Sequence, residues 1–148
     1  MKKLYTTATT ILLLAAPFPA QSATASQSDV CSYYGNVGAG AIDFLLPLKF
    51  SQVINMISGK DQELLKAMNK SLANKGSKKS REGVEELGDD ALALMGEAAG
   101  FHGFQLVMTG QATTGQEVFG ILTNQCMSAG PEAIIEGQRN ARALQPDT

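Results

Sequence analysis

Side chains that could do chemistry are few in this sequence of 148 residues, and they are widely spaced. His102 is the single histidine, and no spacing joins it to a serine and an acid as a nucleophilic triad requires. One histidine cannot form a zinc site without several Asp, Glu or Cys partners. The motifs of serine hydrolases, zinc proteases and phosphate-binding loops are missing from the sequence. We therefore expect no catalysis, no metal and no cofactor, whereas a structural and a pH-sensing role for His102 both stay open.

The two cysteines, Cys31 and Cys126, are expected to form a disulfide, because cysteine pairs in exported proteins usually do. A redox-active pair favours the C-x-x-C spacing, which this pair lacks. The bridge should be structural and should close a loop that contains nearly the whole mature chain.

Residues 1–25 have the features of a secretory signal peptide. Lys2 and Lys3 precede an apolar stretch, prolines follow it, and Ala23-Thr24-Ala25 fits the A-x-A cleavage rule. The sequence thus predicts a bacterial protein that is periplasmic or secreted, with a single mature domain over residues 26–148. That mature chain has ten basic and fourteen acidic residues, so binding of nucleic acid or anionic lipid through bulk charge is not expected. No second apolar run is long enough for a stable membrane anchor.

Helical spacing of apolar residues continues almost throughout the mature chain, with no persistent strand pattern. It predicts an all-α fold, a small bundle of about five to six helices with one disulfide. The expected helices run over about 29–45, 51–57 and 61–74, followed by a long fourth helix with its stripe over 84–108. A fifth begins at 114 with a capping box and ends at the Gly130–Pro131 boundary, and a sixth runs over 131–143.

The fourth helix is the most strongly patterned. Its apolar stripe alternates three- and four-residue steps, and other faces near its end are apolar too, so we expect it at the centre of the bundle. The stripe comprises Val84, Leu87, Ala91, Leu94, Ala98, Phe101, Gln105 and Met108. Gln105, if buried there, would need hydrogen-bond partners or would line a polar pocket.

Glycines inside the predicted fourth helix are open to three interpretations. Gly88, Gly96, Gly100 and Gly103 could allow close helix packing, could form a hinge at Gly100-Phe101-His102-Gly103, or could mark a break in the helix. The disulfide adds a constraint, since its cysteines would lie at opposite poles of a regular up-down bundle. Either the short second helix is not a full crossing, or the fourth helix bends around Gly100 and Gly103.

A cluster of cations lies between the predicted third and fourth helices. Five acidic residues follow this cluster directly in the sequence. Lys75, Lys78, Lys79 and Arg81 form a candidate partner-docking loop, with Gly76 and Ser77 in the turn. Favourable electrostatics at two helix ends explain most of this pattern, because cations favour a helix C-terminus and anions an N-terminus.

The leading functional expectation is a non-catalytic module that binds another protein, such as an immunity, inhibitor or accessory protein. The alternatives are an acid-stress chaperone, whose carboxylates protonate and loosen the bundle, and a small-ligand carrier with a pocket near Phe101, His102 and Gln105. In architecture alone, the chain resembles small periplasmic acid-stress chaperones and helical immunity proteins that neutralise secreted toxins.

Overall fold

Residues 25–146 are described by a computed structural model, and they form seven α-helices without a strand. The all-α class is thereby confirmed, with one helix more than the spacing predicts. The helices are α1 (Gln27–Leu45), α2 (Phe50–Ile57), α3 (Gln62–Leu72), α4 (Lys78–Glu85), α5 (Ala91–Met108), α6 (Gly115–Ala129) and α7 (Pro131–Ala143).

The predicted signal peptide falls almost wholly on residues 1–24, which lie outside the described residues, and it stays a prediction. Within residues 25–146, no helix has both the length and the apolar character that a membrane span requires.

Local signals at the helix ends determine where several helices begin. The capping box between Thr114 and Glu117 is present at the start of α6, and Pro131 occupies the first turn of α7. The start of α1 differs from the prediction, which placed the cap at residue 28 or 29. Ser26 caps α1 instead, because its hydroxyl accepts from the Asp29 amide while the Asp29 carboxylate accepts from the Ser26 amide.

Antiparallel packing of α1 against α6 brings the two cysteines together. The Gln27 side chain at the start of α1 donates to the Met127 carbonyl at the end of α6, over 3.2 Å. The disulfide follows one turn later, with the Cα atoms of Cys31 and Cys126 5.4 Å apart. Between these helices, α2, α3 and α4 are short and α2 is not a full crossing, whereas α5 is long and continuous through its glycines.

The central helix is α1 and not the predicted fourth helix. It packs against α3, α4, α5, α6 and α7, with its most extensive contacts to α6 and α5. Glycines allow this close approach: a Cβ at Gly38 would lie 3.1 Å from the Ala99 carbonyl oxygen, and one at Gly103 would lie 3.2 Å from the Gly38 carbonyl oxygen. The close-packing interpretation is therefore correct for Gly103 on α5.

The predicted fourth helix is in fact two helices, which corrects the long continuous helix and the placement of Gly88 inside it. α4 ends at Glu85 and α5 begins at Ala91, and Gly88 between them has φ +145°, a conformation that other residues rarely adopt. Val84 and Ala91 are nevertheless both fully buried. The turn keeps apolar side chains directed at one core, so residue spacing alone could not reveal the break.

The apolar stripe also leaves the core after Ala98. Phe101, Gln105 and Met108 are exposed, and the buried positions in this part of α5 include Gly103 and Leu106. Gln105 lies one heptad after the buried Ala98 and is itself exposed, so its amide needs no hydrogen-bond partner within the core.

The main core excludes two of the helices. Its buried side chains come from α1, α4, α5, α6, α7 and the loop that holds Ala112, whereas α3 has no buried residue. Leu72 of α3 packs on the margin of this core, and Val53 and Met56 of α2 are buried outside it. We call residues 46–75 the α2–α3 flap, since this hairpin lies against the bundle without entering its core.

Candidate functional site

An apolar groove lies between the flap and the bundle. It has a volume of about 690 Å³, within the usual range for ligand sites, and it is open on one side. Its apolar lining includes Val37, Ala41 and Leu45 from α1, Met56 and Ile57 from α2, Leu65, Met68 and Leu72 from α3, and Leu92, Phe101 and Phe104 from α5.

Two glycines of α5 form part of the wall of this groove. Gly96 and Gly100 both line it, and a Cβ added at Gly100 would meet no atom within 4 Å. At Gly96 the nearest atom would be the Tyr33 hydroxyl oxygen, 3.8 Å away. Neither glycine is therefore required for helix packing, in contrast to Gly103. Each instead leaves space that a larger side chain would fill.

Polar groups on the groove wall are few and carry no free charge. Burial raises the pKa of the Tyr33 hydroxyl, so this group stays neutral. Glu97 is held by α7, because Arg142 Nε donates to its carboxylate over 2.8 Å and Gln138 donates over 3.2 Å. Asn69 adds one exposed amide. The groove therefore suits an uncharged apolar group better than an ion.

The flap is attached to the bundle at its C-terminal end. Gly40 of α1 accommodates it, since a Cβ there would lie 2.8 Å from Lys75 Cε and 3.1 Å from Leu72 Cδ2. The contacts of α3 are with α1 and α2, and its apolar residues are only partly buried. Elements with few buried contacts open at low free-energy cost, so the flap is the segment best suited to admit a ligand.

The predicted hinge or pocket residues separate onto different faces of α5. Gly100 and Phe101 line the groove, which agrees with a pocket at this level of the helix. Gly103 packs against α1, Gln105 is exposed, and His102 faces the core beside Tyr34. α5 continues without a break through all five positions.

His102 and Tyr34 form a hydrogen-bonded pair between α5 and α1. The Tyr34 hydroxyl bonds to His102 Nδ1, and the two rings meet edge to face with centroids 6.1 Å apart. Burial lowers the pKa of His102 and raises the pKa of Tyr34, so both groups favour their neutral forms. The described residues place no carboxylate or serine in hydrogen-bond contact with His102, so this geometry does not resemble a triad.

We expect His102 to make the protein less stable as the pH falls from about 7 to about 5. Its pKa is lower in the folded chain than in the unfolded chain, so the unfolded state binds the proton first and the free energy of unfolding decreases. Urea unfolding across this range should show the decrease in the wild type and a nearly flat profile in His102→Gln. Parallel profiles for the two proteins would contradict the assignment, because the sequence has no other histidine.

The cations of the predicted docking loop are largely engaged within the protein. Lys79 pairs with Asp29 of α1 at 3.3 Å, and Lys78 pairs with Glu82 at 3.5 Å. Arg81 donates to the Asn74 and Gly76 carbonyls, and the stem of Lys75 lies over α1. The structure brings these four residues near the α3–α4 turn, where they cap and connect helices.

Ion pairs hold α7 against α5. Arg139 pairs with Asp90 at 3.0 Å, and Arg142 pairs with Glu97. Hydrogen bonds from these arginines lower the pKa of both carboxyl groups. Their stabilising effect is present above the ordinary carboxyl pKa and is lost as the pH falls through the lowered values. Acid therefore weakens these two ion pairs between α7 and α5.

Sequence reasoning found part of the groove and missed its other wall. The helix predicted over 61–74 forms this wall, because Leu65, Met68 and Leu72 of α3 line the groove, and no functional role was expected for it. Its signal was a helix with one narrow apolar stripe and charges elsewhere, which is typical of an element on the surface. The described residues contain no group of three or more His, Cys, Asp or Glu that could hold a metal.

Fold and site together define a disulfide-linked helical bundle with an apolar groove beneath a helical hairpin. The chain matches no protein-family model, and comparisons with curated proteins and with solved structures give no significant match.

Proposed function

We propose that this protein binds a flexible apolar ligand, of the chemical class of a single acyl chain, in the groove between the α2–α3 flap and the bundle. The observation that supports this most directly is the apolar groove of about 690 Å³ with Gly96 and Gly100 in its wall. Together with the predicted export, this binding would make the protein a carrier that sequesters such a chain from water.

The shape and chemistry of the lining favour a hydrocarbon chain. Side chains from four helices contribute to the lining, and most of them are apolar. Methionines such as Met56 and Met68 adapt to irregular apolar shapes. Transfer of hydrocarbon from water contributes about 0.8 kcal/mol per buried CH₂ group, so a long chain gains substantial affinity without any ion pair. A charged head group would remain at the open side of the groove.

Filling the groove should weaken ligand binding. We expect Gly100→Leu to weaken binding of the apolar dye Nile red by about tenfold or more, because the new side chain occupies ligand space. Gly137→Leu is the matched control, since a Cβ at Gly137 on α7 also meets nothing within 4 Å and this position is outside the groove. Both variants replace a helical glycine and should fold with similar or higher stability.

Dye fluorescence titrations with mature, disulfide-linked protein give the affinity, and competition with palmitate tests the ligand class. Palmitate should displace the dye from the wild type and from Gly137→Leu. The proposal fails if the wild type binds neither compound, or if Gly100→Leu binds as the wild type does while circular dichroism shows both to be folded.

The protein-binding and acid-chaperone hypotheses remain predictions beside this proposal. The chaperone hypothesis draws on the acid-sensitive ion pairs between α7 and α5, and the protein-binding hypothesis draws on the exposed cations of the α3–α4 turn. Apolar-dye binding that increases only in acid, with no palmitate competition at neutral pH, would support the chaperone instead.

A further inference from the structure

We infer that the α2–α3 flap docks on the surface of an anionic lipid bilayer, with the exposed face of α2 in the interface. This surface would be the source of the apolar ligand, and in that respect alone the inference rests on the proposed function. Docking itself depends on exposed apolar side chains and on charge, and not on the groove.

Exposed apolar side chains are concentrated on α2 and just before it. Phe50, Ile54 and Ile57 follow one another at helical spacing and are 69%, 44% and 60% exposed, and Leu46 in the preceding turn is 50% exposed. The opposite face of α2 is used for packing, with Met56 buried at the groove. Side chains of this size on one helix face are costly in water and indicate a contact surface.

The charge of the chain is strongly segregated around this surface. Residues 46–75 contain five lysines and two acidic residues, a net charge of +3, whereas the other described residues contain five cations and eleven carboxylates, a net charge of −6. The flap is therefore basic although the net charge of the whole protein is negative. A basic flap on an acidic body is drawn to a negatively charged surface and orients toward it.

The order of these residues along α2 fits an interfacial helix. α2 has eight residues, about 12 Å of helix, without a single charge. Lys49 precedes it and Lys60 follows it, and both are exposed. Cations that flank an apolar helix face bind anionic head groups while the apolar side chains enter the acyl boundary. Charge complementarity thus favours an anionic bilayer over a neutral one.

Because α2 lies beside the groove, docking of α2 on a bilayer would also bring the groove close to the lipid. Ile57 both lines the groove and is 60% exposed, so the apolar face of α2 and the groove wall share this side chain. A flap with its outer face in a bilayer would place the groove next to acyl chains. A ligand could then pass between lipid and protein without full exposure to water.

Vesicle sedimentation tests the inference. The probes are vesicles of phosphatidylglycerol with phosphatidylethanolamine and vesicles of phosphatidylcholine alone, mixed with mature protein at low salt. We expect sedimentation with the anionic vesicles, little with the neutral ones, and a decrease as salt is raised. Phe50→Gln/Ile54→Gln and Lys49→Gln/Lys60→Gln should each weaken partitioning by about tenfold or more.

Matched control variants distinguish docking through this surface from nonspecific binding through any exposed apolar side chain or any cation. Met108→Gln/Leu144→Gln removes two exposed apolar side chains that are 60% and 84% exposed outside the flap, and it should sediment as the wild type does. Lys78→Gln/Lys79→Gln removes two cations outside the flap, and it should have a small effect. Nile red binding without vesicles is measured on all four variants, so failure of docking is distinguished from failure of ligand binding.

Three results would overturn the inference. The first is no sedimentation of the wild type with anionic vesicles, and the second is equal partitioning of the wild type and the Phe50→Gln/Ile54→Gln variant. The third is a dimer in solution that this variant dissociates, combined with no vesicle binding, which would assign the α2 face to a second copy of the chain.

Discussion

Removal of the disulfide is expected to lower the free energy of unfolding by about 4–5 kcal/mol, as an upper value. Cys31 and Cys126 are 95 residues apart, so the bridge closes a long loop and restricts the unfolded chain strongly. Because small domains are stable by only about 5–15 kcal/mol, the variant should be close to unfolding. Urea unfolding of Cys31→Ala/Cys126→Ala beside the oxidised wild type measures the difference.

Both cysteines are 0% exposed, so the disulfide is protected from solvent in the folded protein. A reductant added to the folded wild type should act slowly, and unfolding in urea with reductant should reproduce the stability of the double variant. A difference below about 1 kcal/mol between the oxidised and cysteine-free proteins would contradict the prediction.

Substitutions at the contact between α1 and α6, where Leu122 packs on Gly38, are expected to lower the free energy of unfolding more than substitutions elsewhere in the core. Leu122→Ala should cost about 2–5 kcal/mol, because the side chain is 0% exposed and fills the space above Gly38. Gly38→Ala should cost about 1–3 kcal/mol, since the new Cβ would overlap Leu122 Cδ1.

The two changes should be coupled, and this coupling tests the packing directly. In Gly38→Ala/Leu122→Ala the overlap disappears, so the double variant should lose less stability than the two single variants together. The Ala99 carbonyl oxygen, 3.1 Å from the added Cβ, prevents full rescue. Leu144→Ala is the control, because this leucine is 84% exposed and its removal should change stability by less than about 0.5 kcal/mol. Strict additivity would mean that Leu122 and Gly38 do not share the space described.

Prediction from the sequence was most reliable where a signal is local. The capping box of Thr114 and Glu117, the Gly130–Pro131 boundary and the turn at Gly76 depend on neighbouring residues, and the structure contains all three. The pairing of Cys31 with Cys126 also agreed, because the sequence offers no other cysteine.

The predictions were wrong where residue spacing was used to infer which side chains face the core. Val84 and Ala91 belong to one apolar stripe and to one core, although the chain turns at Gly88 between them. Phe101 continues the same stripe, yet it projects toward the groove and is 57% exposed. Periodicity gives the angle around a helix axis and does not specify the position of the neighbouring helix.

The sequence by itself determined the all-α class, most helix boundaries, the identity of the disulfide partners and the scarcity of catalytic groups. Only the tertiary structure decided that α1 is central, that His102 faces Tyr34, and that Gly100 lines a groove instead of packing against a helix. Helix formation depends on interactions within a few residues, which the sequence encodes directly. A groove depends on where separate helices fail to fill the space between them, and that is determined by the packing of the whole chain.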